Sequence, residues 1–425
     1  MPIKRALVCS PVMPAFDRES GSRRIFHLIV LLQEAGWSVT FFAENMTGGE
    51  RYAHILRQRG VMVYGGRHSR GISAEYLPNP KVLFENGHFD LVLVAFWYVA
   101  ERLLPMVRSC APHTRFIVDS IDLHFLRHAR KAFSRDHTLP KALELDYASE
   151  MIRELNVYAA VDGVFTVSQK EADLINDFVA DPNKAYAVPD MEELARSPLA
   201  FEARKGILFV GNFRHLPNVR AVKYLFGQIV PRIDPRLLQR HPLYVVGNAL
   251  DEDIHQLGKG IPDVKMVGWV PSILPYFNKA CVSIVPLTYG AGTKRKVIET
   301  LSVGTPCVST SIGIEGLALR HGQEILVADD PEAFAAAIET LLDDKLLWHR
   351  LAEQGRAHIV ATHGSEVVRS RLHEALESVM AKKPGQRDPS MSLRWLSNEM
   401  AGHMHRAKLG IKHWLRTVRI RAHLK

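Results

Sequence analysis

Residues 285–306 read V-P-L-T-Y-G-A-G-T-K-R-K-V-I-E-T-L-S-V-G-T-P. An apolar run that begins at Val282 stops at Pro286, a loop bearing Gly290 and Gly292 follows, and a helix is expected to open near Thr293. Glycines let backbone N–H groups come close to an anion, and a helix amino terminus adds about half a positive charge. Lys294, Arg295 and Lys296 add three full charges. The arrangement suits a diphosphate, with the carboxylate of Glu299 projecting from the first turns of the helix. A carboxylate repels phosphate, so its natural partner there is a neutral diol such as a ribose. Taken alone, the stretch also reads as a basic helix start with a solvated carboxylate, so the rest of the chain has to decide.

Working outward, apolar runs alternate with stretches of helical spacing on both sides. Strands are expected at Gly206–Val210, Leu243–Val246, Val264–Val267, Val282–Pro286, Cys307–Thr310 and Ile325–Val327. Helices at Pro331–Leu342, Leu346–His358 and Glu366–Met380 close that series. An earlier series holds Ile3–Ser10, Ser38–Ala43, Val61–Tyr64, Leu91–Phe96, Arg115–Val118, Val164–Ser168 and Ala185–Val188. Continuous apolar runs are the mark of strands buried on both faces, and strict alternation with helices implies parallel sheets. The chain is therefore of α/β class, with a first domain over 1–192, a polar link over 193–204 and a second domain over 205–382. Ligands of such sheets gather at the carboxyl ends of the strands, so two domains facing each other would share a cleft.

The 425 residues are 47% hydrophobic and 23% charged, an ordinary folded composition that excludes wholesale disorder. Four scattered cysteines, with no C-x-x-C pair, exclude a zinc ribbon and fit a reducing compartment. The longest apolar run, Leu91–Ala100, is about half of the ~20 residues that a bilayer requires. Lys4 and Arg5 precede Ala6–Val8, but Pro11, Pro14 and Asp17 interrupt any secretory signal. Lys382–Lys425 contains eleven basic and two acidic residues, which accounts for the whole net charge of +9. The folded part is thus neutral, which argues against a nucleic-acid partner. After the linker-like Pro384–Pro389, a helical stripe runs through Leu393, Leu396, Met400, Met404, Ala407, Ile411, Trp414 and Val418. A basic amphipathic tail of this kind, 383–425, fits an anionic membrane surface; a partner helix or a solvated extension are the alternatives.

The 285–306 stretch resembles the donor-binding region of the family 4 (group 1) retaining glycosyltransferases of the GT-B fold. That family carries two acidic residues with seven residues between them, the second followed by a small-residue helix and G-x-P. Glu299, Gly304 and Pro306 match the second half, and Ala291 stands at the first acidic position. The resemblance gives Glu299 the nucleotide ribose. It extends to F-V-G-N-F (209–213) with Arg214, read as the first strand and phosphate-approaching loop through Gly211 and Asn212. It also covers V-K-M-V-G-W-V (264–270), whose Trp269 and Val270 would meet the nucleobase, and S-I-G-I-E-G-L (311–317). Gly290, Gly292, Thr293 and Lys296 complete the expected donor-binding set, and Lys294 or Lys296 would neutralise the leaving diphosphate.

In the first domain, S-P-V-M-P-A-F-D-R-E-S-G-S-R-R (10–24) leads from a strand into a helix that Ser20 or Ser22 could cap. By resemblance this loop faces the cleft, with Asp17, Gly21 and Arg24 as the contacts carried over. After the next central strand comes D-S-I-D-L-H-F-L-R (119–127), where Asp122 or His124 would stand near the reacting sugar. Val167, Ser168, Glu171 and Val188-Pro189-Asp190 continue the likeness. It implies two Rossmann-like doubly wound domains and transfer of a sugar from a nucleotide-diphosphate donor to a glycan or lipid-linked acceptor, with retention. No metal and no cofactor beyond the nucleotide sugar are expected. The setting would be cell-envelope polysaccharide or glycolipid synthesis, cytoplasmic or peripheral on the inner face of the plasma membrane. A nucleotide-sugar 2-epimerase of the same fold and a catalytically silent nucleotide-sugar-binding protein are the competing readings.

Overall fold

The computed structural model describes residues 3–67, 75–76, 80–133, 141–194, 198–290 and 292–382. The tail 383–425, the linker-like 384–389 and Ala291 lie outside the described residues.

The first domain is built on strands β1 (Arg5–Val12), β2 (Ser38–Asn45), β3 (Met62–Arg67), β4 (Glu75–Tyr76), β5 (Leu91–Ala95), β6 (Arg115–Asp119), β7 (Gly163–Thr166) and β8 (Ala185–Ala187). They form one sheet in the order β4-β3-β2-β1-β5-β6-β7-β8, with every pair parallel. The second domain contains β9 (Ile207–Val210), β10 (Leu243–Val246), β11 (Val264–Gly268), β12 (Val282–Val285), β13 (Cys307–Ser309) and β14 (Leu326–Val327). Its order is β11-β10-β9-β12-β13-β14, again all parallel. In each sheet the chain starts at a central strand, winds to one edge and then returns to the other. That reversal opens a crevice at the carboxyl ends of the central strands. The strands expected from apolar runs are all present; the two-residue β4 is the addition.

Strands such as β5 and β6 are buried along their whole length. Helices lie on both faces, and the core of the first sheet is accordingly split in two. One half packs Ile25, Leu28, Ile29 and Leu32 of the helix Ser20–Glu34 beneath Val8, Phe41 and Leu93. The other packs Trp97, Leu103 and Val107 of the helix Trp97–Cys110 against Leu7, Val92 and Phe116. In the second domain Asp330 and Asp344 cap successive helices, Pro331–Asp343 and Lys345–His363, by accepting from Ala333 N and Leu347 N.

The last described helix, Ser365–Ala381, changes domain. The sequence groups it with the closing helices of the second domain. In the structure Val368, Leu372, Ala375, Leu376 and Val379 sit in the first-domain core with Ile117, Phe165 and Val188. Its apolar stripe joins the core on the same face of the first sheet that the helix Ser20–Glu34 covers.

Candidate functional site

The loop after β12 is shaped by two glycines in backbone conformations that side chains disfavour, Gly290 with φ +152° and Gly292 with φ +68°. Lys294 follows at the cap of the helix Arg295–Ser302, and its Nζ donates to the carbonyl of Gly292. No side chain caps that helix, so its first N–H groups keep their capacity for an anion. Lys296 Nζ donates to Asn218 Oδ1 at 2.7 Å and lies 5.2 Å from the centre of the Phe209 ring. Burial, together with the charge of Lys294, pulls the Lys296 pKa down to about 7.

Glu299 stands in the second turn of this helix. Arg295 Nε donates to its Oε1 at 2.9 Å, and Arg23 of the first domain approaches the same oxygen at 3.7 Å. Arg295 also reaches Glu192, a buried carboxylate of the interdomain link. Burial raises Glu192 to about 7 even though Arg295 and Arg23 oppose the shift. Glu192, Arg295, Glu299 and Arg23 thus form a continuous ionic chain from the link to the cleft. In the sequence Arg295 is one of three adjacent charges, and Arg23 and Glu192 carry no local signature of their roles, because their partners are distant in the chain.

The ends of β9, β10 and β11 converge beside this loop. Gly211 N donates to Val246 O at 3.0 Å, and a Cβ on Gly247 would stand 1.7 Å from Gly211 O, so the two backbones touch only because a glycine is there. Asn212 Oδ1 accepts from Arg214 N at 3.1 Å, and its carbonyl accepts from Asn218 Nδ2 at 2.9 Å. Arg214 itself is exposed. Gly268 turns the chain with φ +75° and leaves Trp269 70% exposed, with Val270 half-buried behind it. An indole so open at a strand's carboxyl end offers a flat face on which a base can stack.

On the facing domain, Gly21 lies in the first turn of the helix Ser20–Glu34. The residue at the cap position is Glu19, which makes no capping bond; neither Ser20 nor Ser22 caps the helix, and Ser22 Oγ turns to the Glu19 carboxylate instead. A Cβ at Gly21 would lie 3.4 Å from Ile121 and 3.9 Å from Phe96. Both of those residues have positive φ, +62° and +70°, although a β-branched and an aromatic residue strongly disfavour it. Such strain, at the ends of β6 and β5, is typical of functional loops.

Just beyond Ile121, Asp122 pairs with His124 Nε2 at 3.3 Å and accepts from Arg127 at 2.6 Å. Burial would raise the Asp122 pKa, but the bond from His124 and the charge of Arg127 outweigh it and hold the carboxyl below its usual range. The His124 ring stands among Phe96, Trp97, Tyr98 and His128 at centroid distances of 5.7–6.3 Å. Glu154, fully buried, accepts from the backbone N–H groups of His124 and Phe125 and so anchors the start of their helix. A Cβ on Gly292 would stand 3.4 Å from Asp122 Cβ, which brings the glycine loop of one domain against the Asp122 loop of the other.

The structure therefore gathers Asp122, His124, Gly21, Gly290, Gly292, Thr293, Lys294, Lys296 and Glu299 along one interdomain seam, with Gly211, Asn212, Arg214, Trp269 and Val270 on the second domain's rim. Two expected contacts lie elsewhere. Arg24 is 3% exposed and turns inward, bonded to Asp119 through Nε at 2.9 Å, to Val188 O at 2.7 Å and to Asp190 at 3.2 Å. It ties three segments together beneath the cleft. Asp17 accepts from Tyr52 at 2.6 Å and pairs with Arg51 at 3.1 Å, fastening its loop to the helix Glu50–Gln58. Among the described residues no three His, Cys, Asp or Glu side chains converge as metal ligands.

Comparison with known proteins bears on the family and the fold. The family model described as "Glycosyl transferases group 1" matches residues 204–344. A D-inositol 3-phosphate glycosyltransferase of Streptomyces scabiei is 26% identical over 310 residues, covering 64% of this chain and 64% of that protein. An uncharacterized 44.6 kDa protein in the cps region of Klebsiella pneumoniae is 28% identical over 142 residues, 31% of this chain and 36% of that one. This chain thus spans between about a third and two thirds of the length of these relatives. Among solved structures, sucrose-phosphate synthase from Thermosynechococcus elongatus superposes with a TM-score of 0.65 at 16% identity, over 89% of this chain and all of that one. Anabaena HepE, solved with UDP-glucose, gives 0.62 at 13% identity over 88% and 99%. The family model thus matches the larger part of the second domain, residues 204–344, and the two-sheet architecture is that of these solved glycosyltransferase-like structures.

Proposed function

We propose that the protein transfers a sugar from a nucleotide-diphosphate sugar to a glycan or lipid-linked acceptor, with retention and without a bound metal, in the synthesis of cell-envelope polysaccharide or glycolipid. The observation that carries the reading is the position of Glu299: a carboxylate on the helix behind the glycine loop, within reach of Arg23 on the opposite domain. The diphosphate would lie over the amino end of that helix, against Lys294 and Lys296, with Arg214 at the rim. Diphosphate binding favours the charged form of Lys296, so the lysine would gain its proton as the anion enters. Glu299 would take the ribose hydroxyls and Trp269 the base.

Asp122 and His124 would flank the sugar as it leaves. The barrier would fall through positioning and through fixed positive charge on the departing diphosphate. Support for an envelope role comes from a relative named as a lipopolysaccharide core biosynthesis glycosyltransferase, LpsE of Rhizobium meliloti, 28% identical over 148 residues. No described helix is long and apolar enough to cross a membrane. Contact with a cytoplasmic membrane face would fall to the basic segment 383–425.

A thermal-shift screen of nucleotide diphosphates and their sugars against the wild type and Glu299→Ala tests the reading, because a ligand that binds the native state raises its melting temperature. Stabilisation of the wild type alone is expected. Equal response of both proteins, or of neither, would refute it. Transfer activity that vanishes with a chelator would refute the metal-free part.

A further inference from the structure

The sequence Ser168-Gln169-Lys170-Glu171 has the spacing of a capping box, in which serine and glutamate each satisfy the other's backbone N–H. Only half of it forms. Ser168 Oγ accepts from Glu171 N at 3.3 Å, but the Glu171 carboxyl does not return the bond. The side chain is 95% shielded by the fold, and its Oε2 has no hydrogen-bond partner among the described residues. A buried carboxyl left unmatched is costly, so its retention calls for an explanation.

Its surroundings indicate the task. Glu171 opens the helix Gln169–Val179, whose amino end meets the second domain. A Cβ on Gly316 would lie 3.1 Å from Ser168 Oγ and 3.2 Å from Thr293 Cγ2, and Lys170 Nζ reaches Glu315 at 2.6 Å. The first turn of this helix is therefore packed against the loop 311–317, which at Gly316 also adjoins Thr293 of the glycine loop. The charges that act on Glu171 come from every element around it: Asp122 from the loop after β6, Lys294 from the glycine loop, Arg24 from the helix Ser20–Glu34, and Glu315 from the loop after β13. The Tyr158 hydroxyl, on the helix Lys141–Ala160, feels the carboxyl in turn. Burial, reinforced by Asp122, raises the Glu171 pKa to about 8, so the group is a neutral acid at pH 7. A neutral carboxyl can donate a hydrogen bond, whereas its ionised form can only accept.

We infer that Glu171 is a donor-contacting residue whose carboxyl O–H bonds a phosphate oxygen of the bound nucleotide diphosphate, beside Lys294. The inference rests on the donor-site reading given above and adds to it a contact from the first domain. It makes diphosphate affinity depend on a proton held by the facing domain.

The test is calorimetric titration of the full chain with UDP, GDP and ADP between pH 7 and pH 9.5, for the wild type, Glu171→Gln and Glu171→Met. Glutamine preserves a donor and cannot ionise. For the nucleotide that binds, the ratio of wild-type to Glu171→Gln dissociation constants should be nearly flat up to about pH 8 and then rise by up to about tenfold per pH unit, as one linked proton requires. Shared titrations, that of Lys296 included, cancel in this ratio. Glu171→Met, with no donor, should bind more weakly than Glu171→Gln at pH 7. A ratio that stays constant with pH, or Glu171→Met binding as well as Glu171→Gln, would overturn the role of Glu171 and leave the donor site standing. Wild type that binds none of the three nucleotides at any pH would instead overturn the donor-site reading, and this contact with it.

Discussion

Arg23 Nη1 of the first domain stands 3.7 Å from Glu299 Oε1 of the second, so the carboxylate expected to hold a ribose is already in contact with the opposite wall of the cleft. Arg295 holds the same oxygen from its own helix and holds Glu192 on the link. Glu299 is thereby fixed in direction before any ligand arrives, and that preorganisation lowers the entropic cost of binding.

Glu299→Ala should weaken binding of the stabilising nucleotide diphosphate by about 10- to 100-fold, the range for hydrogen bonds to a charged group. Arg23→Ala, which leaves Arg295 in place, should weaken it less. Isothermal calorimetry on both variants measures the difference. An Arg23→Ala effect larger than that of Glu299→Ala would show that the arginine, and not the carboxylate, is the principal contact.

Arg24 has a different consequence. It is paired with Asp119 and Asp190 in the interior, so removing it leaves two buried carboxylates with no cation between them. Arg24→Met should destabilise the first domain by about 3–5 kcal/mol. Denaturant unfolding followed by tryptophan fluorescence would read this loss. A change within about 0.5 kcal/mol would mean that the carboxylates find other partners.

Acid should weaken the native state through two histidines. Burial, the leading cause at each, lowers His27 and His363 to about 4 from an ordinary 6.5. Between those values the unfolded chain binds protons that the folded chain refuses, so stability falls as pH drops from about 6.5 toward 4. Each histidine can contribute roughly 3 kcal/mol to that loss. His27→Gln should flatten the acid side of a melting-temperature profile. A profile identical to wild type between pH 4 and pH 6.5 would dismiss His27 as its source.

Most of the fold was legible, and the reason is physical. β5 and β6 are buried on both faces, so their sequences are unbroken apolar runs, and parallel order follows from the helices between them. Partners far apart in the chain were not legible. Arg24 meets Asp119 across 95 residues, and nothing near 10–24 distinguishes an inward arginine from one that faces a ligand. The helix Ser365–Ala381 shows its apolar stripe plainly, but a stripe does not say which sheet will cover it. At the site, the glycine loop and Glu299 carried a local signature. The strained backbone at Phe96 and Ile121 did not, because neither residue type announces a positive φ.

Asp122→Asn and His124→Ala should each reduce turnover by about a hundredfold or more while leaving the nucleotide affinity within a fewfold of wild type. The pair touches the glycine loop at Gly292 and not the helix that holds Glu299. Steady-state transfer kinetics, with calorimetry on the same samples, separate the two quantities. Loss of affinity without loss of turnover would move these residues to the binding side.

A chain ending at Lys382 should keep its fold and its nucleotide binding but lose association with anionic vesicles, since residues 383–425 carry +8 of the net charge of +9. Co-sedimentation with phosphatidylserine-containing vesicles at low and physiological salt checks this. Equal pelleting of both forms would dismiss the tail as a membrane contact.

Because the chain enters the second domain after Asp190 and re-enters the first at Ser365, two covalent straps rather than one connect the halves. A single strap would let one half swivel and slide over the other; a pair acts like the pins of a door and permits mainly one rotation, about the line that joins them. Opening should therefore part the Gly292 and Asp122 lips while the edge nearest the straps barely moves, and each closure brings the same atoms back into register.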